Sequence, residues 1–159
     1  MKDDLCFRPA HELAHLLRSR QLSPVELMEA CLERIRQLDP LLRAFITLRA
    51  DEAMAEARQM AERIARGEDA GPLAGLPLAV KDLEDVAGLP TTYGSLPFRD
   101  NVARRDSVQV ARLKAAGAIV VGKTSTPEFG YTFFCRNLIS GATLNPWHLE
   151  RTPGGSRCQ

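Results

Sequence analysis

Lys81 closes the apolar run "LPLAV", Leu76 to Val80, and the acidic residues Asp82 and Asp85 follow it. A run of that kind reads as a buried strand, and open α/β sheets place their sites at strand ends. Burial disfavours an ammonium group and lowers a lysine's pKa, which suits a general base near neutral pH. The plainer reading of the same residues is a lysine paired with Asp82 or Asp85. Ser156 is the second candidate, preceded by Pro153-Gly154-Gly155. Paired glycines let the backbone come close to a ligand, so Gly154 and Gly155 are candidate substrate-binding positions. A serine after such a turn can serve as nucleophile or proton relay. Its plainer reading is a polar turn near the end of the chain.

Two further patterns match known chemistry by letter and fail on context. "HELAH", His11 to His15, has the spacing that puts two zinc-ligating histidines on one helix face. It lies near the start of the chain, and His148 is the only other histidine, so the expectation is a solvated helix face and no metal. "GAIVVGKT", Gly117 to Thr124, fits the phosphate-binding pattern G-x-x-x-x-G-K-[ST]. Here Ile119, Val120 and Val121 occupy the would-be phosphate loop, where strand-forming residues cannot turn their N–H groups onto a phosphate. Pro127 also interrupts the helix that should follow. Nucleotide binding is the weakest alternative for this chain.

The elements that must position these residues change character at Ala70. Before it the sequence reads as helices. One carries Leu13, Leu16 and Leu17 on a face. The next opens on Ser23, Pro24 and Glu26 as a capping box and ends at Asp39-Pro40. "AFITL", Ala44 to Leu48, reads as a short strand, and Asp51 to Arg66 as a helix closed by Gly67. After Ala70 come the strand into Lys81, a long loop from Gly88 to Arg105 and a helix from Asp106 to Ala116 capped by Asp106. A second buried strand, "AIVVG", follows. Strand, helix, strand implies a crossover and a partly parallel sheet. The fold class is therefore α/β: N-terminal helices (1–69), then the start of a mixed sheet flanked by helices (70–159). Beyond Thr124 some thirty residues read mostly as loop, with one short helix after Pro127, which is unusual for a compact domain.

Composition excludes several partners. The chain has 159 residues, and 21 basic side chains nearly cancel 20 acidic ones. That balance gives no reason to expect nucleic acid or an anionic membrane surface. No stretch is apolar enough to span a bilayer, and the N-terminus lacks a signal-peptide pattern. Four cysteines without C-x-x-C spacing imply a reduced, cytoplasmic protein.

Together the motifs resemble the amidase signature family. "GPLAGLPLAVKDLEDVAGLPTTYGS" is similar to its segment around the catalytic lysine, "RRDSVQVARLKAAGAIVVGKTSTPEFG" to the segment after it, and "LNPWHLERTPGGS" to the approach to its Gly/Ser-rich signature. The resemblance covers about Ala70 to Ser156, and more loosely the helices from Ser23. It implies an incomplete amidase-signature fold and a hydrolase of carboxylic amides without cofactor, using a Ser–cis-Ser–Lys triad on a small-molecule amide. Lys81 would be the base and Ser156 the bridging serine after a cis bond from Gly155. The nucleophile, in the family a later serine whose turn also supplies the oxyanion hole, has no counterpart here. The family continues Gly-Gly-Ser-Ser-Gly-Gly, whereas this chain continues Arg157-Cys158-Gln159.

That departure fits a reading-frame slip inside the signature, and it implies a truncated chain inactive by itself. "STPEFG" after "GKT" looks more like stand-alone amidases than like the component of a tRNA-dependent amidotransferase, which stays an alternative. A non-catalytic remnant or interaction fragment is another. It would self-associate through an exposed sheet edge and an uncovered apolar face containing Val80, Ile119, Val120 and Val121.

Overall fold

Ser23 and Glu26 open the longest helix as their chemistry dictates. The Ser23 hydroxyl accepts from the Val25 N–H at 3.2 Å, and the Glu26 carboxylate reaches back to the Ser23 N–H at 3.0 Å. The computed structural model describes residues 5–154. Its helices are α1 (Ala10–Arg18), α2 (Pro24–Leu42), α3 (Ala50–Ala65) and α4 (Val108–Ala115), and its strands β1 (Phe45–Leu48), β2 (Pro77–Lys81), β3 (Ile119–Thr124), β4 (Arg136–Asn137) and β5 (Gly141–Ala142).

Helix α2 does not stop at Asp39-Pro40 but runs to Leu42. A proline keeps helical φ and forfeits one backbone bond, a small loss in an exposed last turn. Asp39 then turns the chain: its carboxylate accepts from the N–H groups of Ala44 (2.7 Å) and Phe45 (3.0 Å) and so starts β1. Asp106 likewise precedes α4, but its carboxylate accepts from Ala87 at 2.8 Å, tying down the long loop.

Three strands form a sheet in the order β1-β3-β2. β1 is antiparallel to β3, with Phe45 opposite Thr124 and Leu48 opposite Gly122, and the register slips between Phe45 and Thr47. β2 runs parallel to β3: Ile119 donates to Leu76 at one end and Asp82 to Thr124 at the other. The sheet is therefore mixed. Gly122 sits where β1 crosses closest; a Cβ there would lie 2.3 Å from the Thr47 carbonyl oxygen. Gly122→Ala should lower stability by about 1–3 kcal/mol in chemical denaturation.

The chain divides into two compact units that interleave along the sequence. The first comprises Met1–Gln37, Arg49–Leu78 and Ala111–Val121. Its core is two apolar clusters, one of Met28, Ala53, Ala57, Met60, Ile119 and Val121, the other of Leu13, Leu17, Leu22, Leu27 and Leu76. Small alanines on α3 let its backbone come close to β3. Arg49 fixes the start of α3 there, donating to the carbonyls of Val121 (2.9 Å, backbone) and Val120 (3.2 Å, guanidinium) while pairing with Glu56 at 2.7 Å.

The second unit comprises Leu38–Leu48, Ala79–Val110 and Gly122–Gln159. Its described stretch after Thr124 has little regular structure, a 3-10 turn at Glu128–Gly130 and the two-residue pair β4–β5. Side-chain bonds organise it instead. Asn137 is buried and fully used: its amide donates to Ser125 Oγ (3.1 Å) and the Thr126 carbonyl (2.8 Å), and its oxygen accepts from the N–H groups of Ile139 and Ser140. Thr143 and Leu144 bond back to Arg43 and Leu42.

The apolar residues expected at an exposed face are buried. Val80, Ile119, Val120 and Val121 are all at most 5% exposed. β3 has strands on both sides, and its Ile119 and Val121 pack against Met28 of α2 and Ala53, Ala57 and Met60 of α3. Exposed apolar side chains include Phe7 in the first unit and Tyr131, Phe133, Leu138 and Trp147 in the second.

Candidate active site

Lys81 is the last residue of β2 and is half-buried. Alternation along the strand puts its neighbours Val80 and Asp82 on the opposite face, and both are buried. The chain leaves the strand through a turn in which the Glu84 N–H bonds to the Lys81 carbonyl at 2.9 Å.

Asp82 is held at every polar atom. Its N–H donates to Thr124 (3.0 Å) and its carbonyl accepts from Tyr93 (3.1 Å). Its carboxylate accepts from the Thr92 N–H and hydroxyl, and from the Lys123 ammonium at 2.9 Å. Lys123 in turn uses all three of its hydrogens, the other two on the Pro90 carbonyl (3.0 Å) and the Thr91 hydroxyl (3.1 Å). Both side chains are wholly excluded from solvent. A buried charge persists only when paired and hydrogen-bonded, and this pair is both. Asp82, one of the two acidic partners offered for Lys81, is thus committed to Lys123.

The same network disposes of the phosphate-loop pattern. Gly117 to Thr124 is a turn leading into a wholly buried strand, and its lysine has no hydrogen left for a nucleotide. His11 and His15 lie on the exposed side of α1, opposite Leu13, Ala14 and Leu17. Among the described residues, no group of three or more His, Cys, Asp or Glu could hold a metal ion.

Three aromatic rings stand beside the turn after Lys81. Tyr93 and Phe129 stack 5.9 Å apart, and Phe98 meets each edge-on at 5.4 and 5.8 Å. Tyr93 and Phe129 both have left-handed backbones, at φ 54° and 50°. Such a conformation costs a bulky residue on the order of 1–3 kcal/mol and persists only where surroundings enforce it. The enforcement is visible: Phe129 N–H donates to the Tyr93 carbonyl at 2.7 Å, and Tyr93 N–H to Asp82. Loss of water, then the charges of Asp85, Asp82 and Glu84, hold the Tyr93 phenol above its ordinary pKa.

The segment leading to the Gly-Gly-Ser turn is a tight loop. Asn145 and Arg151 are bonded backbone to backbone at 2.9 Å, and Thr152 Oγ1 accepts from the Cys135 N–H at 3.3 Å. Gly154 takes φ 81°, a conformation that suits glycine, with no atom of the described residues near where a Cβ would stand. Gly155 and Ser156 lie outside the described residues.

The sequence reading missed Lys123 as a structural ion, together with Thr92, Asn137 and the aromatic trio. Lys123 did leave a signal: a lysine at the end of an all-apolar strand must find a carboxylate. The left-handed Tyr93 and Phe129 left none.

A family model described as Amidase matches residues 26–157. The chain is 42% identical over 153 residues to a component of the glutamyl-tRNA(Gln) amidotransferase from Acidothermus cellulolyticus, covering 96% of this chain and 30% of that protein. It is 39% identical over 155 residues to an acylamidase from Rhodococcus erythropolis, covering 98% and 32%. A solved bacterial aryl acylamidase of the amidase signature family superposes with a TM-score of 0.89 at 32% identity, covering 96% of this chain and 32% of that one. The chain therefore spans about a third of the length of these relatives.

Proposed function

The chain belongs to the amidase family, and on that footing we propose that it carries the base of a carboxylic-amide hydrolase, Lys81, with Ser156 as the serine that relays a proton to it. The observation that carries the reading is the end of β2. Lys81 emerges half-buried from the sheet while Asp82, the acidic residue beside it, is taken by Lys123 and Thr92.

In this reading a serine from the remaining two thirds of the fold attacks the amide carbonyl carbon. Its proton passes to Ser156 Oγ, whose own proton passes to the neutral Lys81 amine. The C–N bond breaks as the leaving nitrogen is protonated, and water then releases the acid from the acyl-serine. No residue among the 159 answers to that attacking serine. We therefore assign turnover to this chain joined to the rest of the fold and none to these residues alone. The reading includes a small amide as substrate, no cofactor and residence in the cytoplasm. Among the described residues no helix is long and apolar enough to cross a membrane, and Cys6 and Cys31 are free. Cys135 is disulfide-bonded, against the reduced state expected from the cysteine spacing.

A second reading, a non-catalytic interaction fragment, is favoured by the exposed aromatics. Tyr131 and Trp147 are each 90% exposed and Phe133 is 87% exposed, values usual for a surface that meets another. Joining the chain to the C-terminal two thirds of the acylamidase relative and assaying simple aryl and aliphatic amides, beside size-exclusion chromatography of the chain alone, separates the two. Turnover by the chimera that Lys81→Ala abolishes would support the hydrolase reading. No turnover by the chimera, together with association of the chain alone, would favour the fragment.

A further inference from the structure

Cys6 and Cys31 meet in the first unit, where the amide chemistry has no use for them. Leu5 packs on the same apolar cluster as Cys31, among Leu13, Leu17 and Leu27. Phe7 lies under the Arg34 guanidinium, 4.6 Å from the ring centroid. Arg34 is one helical turn beyond Cys31 on α2, so Leu5, Cys6 and Phe7 run along the face of α2 that carries both. Between these two anchors Cys6 stands close enough to Cys31 for its charge to act on that thiol. Both thiols are free and neither is fully buried, so a small oxidant can reach them.

We propose that Cys6 and Cys31 are a redox modification site, closing a reversible disulfide when the chain meets a low-molecular-weight disulfide such as oxidised glutathione. Burial, reinforced by the charge and hydrogen bond of Cys6, pushes the Cys31 thiol up to about 12. Cys31 is thus the sulfur that keeps its proton, and the first attack falls to Cys6. The Cys6 thiolate attacks one sulfur of oxidised glutathione, forming a mixed disulfide and expelling one glutathione thiolate. Cys31 gives its proton to that thiolate and displaces the second glutathione. Two protein thiols are oxidised and one glutathione disulfide is reduced to two thiols. The bridge would staple the segment before α1 to α2 and close a loop that contains all of α1. Its closure draws on proximity already present, since neighbouring thiols need little backbone movement to reach disulfide geometry.

The test is oxidation of the full chain with oxidised glutathione, alkylation of the remaining thiols and peptide mapping by mass spectrometry. The expected product is a cross-linked pair of peptides carrying Cys6 and Cys31, lighter by two hydrogen atoms and separated by dithiothreitol. Oxidised wild type should melt several degrees above the reduced form, because the bridge constrains the unfolded chain. Cys31→Ser should stop at a glutathione adduct on Cys6, Cys6→Ser should leave Cys31 unmodified, and neither should show such a rise. A stable glutathione adduct on wild-type Cys6 without cross-linking would overturn the proposal. So would a bridge from either residue to Cys135 or Cys158, or equal melting temperatures of the two forms.

Discussion

Lys81→Ala lowers kcat by about 10²- to 10⁴-fold in a chimera whose N-terminal third is this chain and whose remainder comes from the acylamidase relative. The substitution removes the proposed proton acceptor and leaves β2 otherwise intact, because the strand's anchoring bonds are made by its backbone and by Asp82. Lys81→Arg is the sharper variant. A guanidinium keeps the positive charge but cannot give up a proton in the working pH range. If Lys81 is a base, the arginine variant is as slow as the alanine one, with KM little changed. If Lys81 serves only as a cation that holds substrate, arginine restores most of the rate.

Lys123→Met is the second large effect, and it falls on stability. The substitution keeps an unbranched side chain of similar length but strands the Asp82 carboxylate in a site from which water is excluded. Leaving one charge of a buried pair uncompensated costs about 3–5 kcal/mol. A domain of this size is stable by only about 5–15 kcal/mol, so the variant should unfold at far lower denaturant or fail to accumulate. Asp82→Asn combined with Lys123→Met removes both charges and should recover much of the loss. The hydrogen bonds from Thr92 can then still reach the asparagine oxygen. A single Lys123→Met variant as stable as wild type in urea would contradict the account of this pair.

Local chemistry was legible in the sequence wherever one stretch decides its own structure. Ser23, Pro24 and Glu26 announced α2, the run before Lys81 announced β2, and Ile119 to Val121 announced a buried strand rather than a phosphate loop. Non-local chemistry was not. Lys123 finds Asp82 across 41 positions of sequence, and no spacing rule links them. Val80 and Ile119 to Val121 were expected at an exposed face because half a sheet suggests an open surface, yet all four are buried, Ile119 and Val121 against residues of α2 and α3. The stretch after Thr124 looked structureless because its order comes from Asn137 and Thr143 bonding to distant backbone, which leaves no periodic pattern. Family resemblance supplied the pairing of Lys81 with Ser156, which neither residue's neighbours could have suggested.

That pairing is the centre of the account, and the distance from Lys81 Nζ to Ser156 Oγ measures it most directly. A crystal structure of the chimera, solved with the chain joined to the rest of the fold, should place the two atoms within hydrogen-bond reach, about 2.6–3.2 Å. Lys81 turned to solvent, or bonded to Asp85 with Ser156 remote from it, would contradict the assignment of the base.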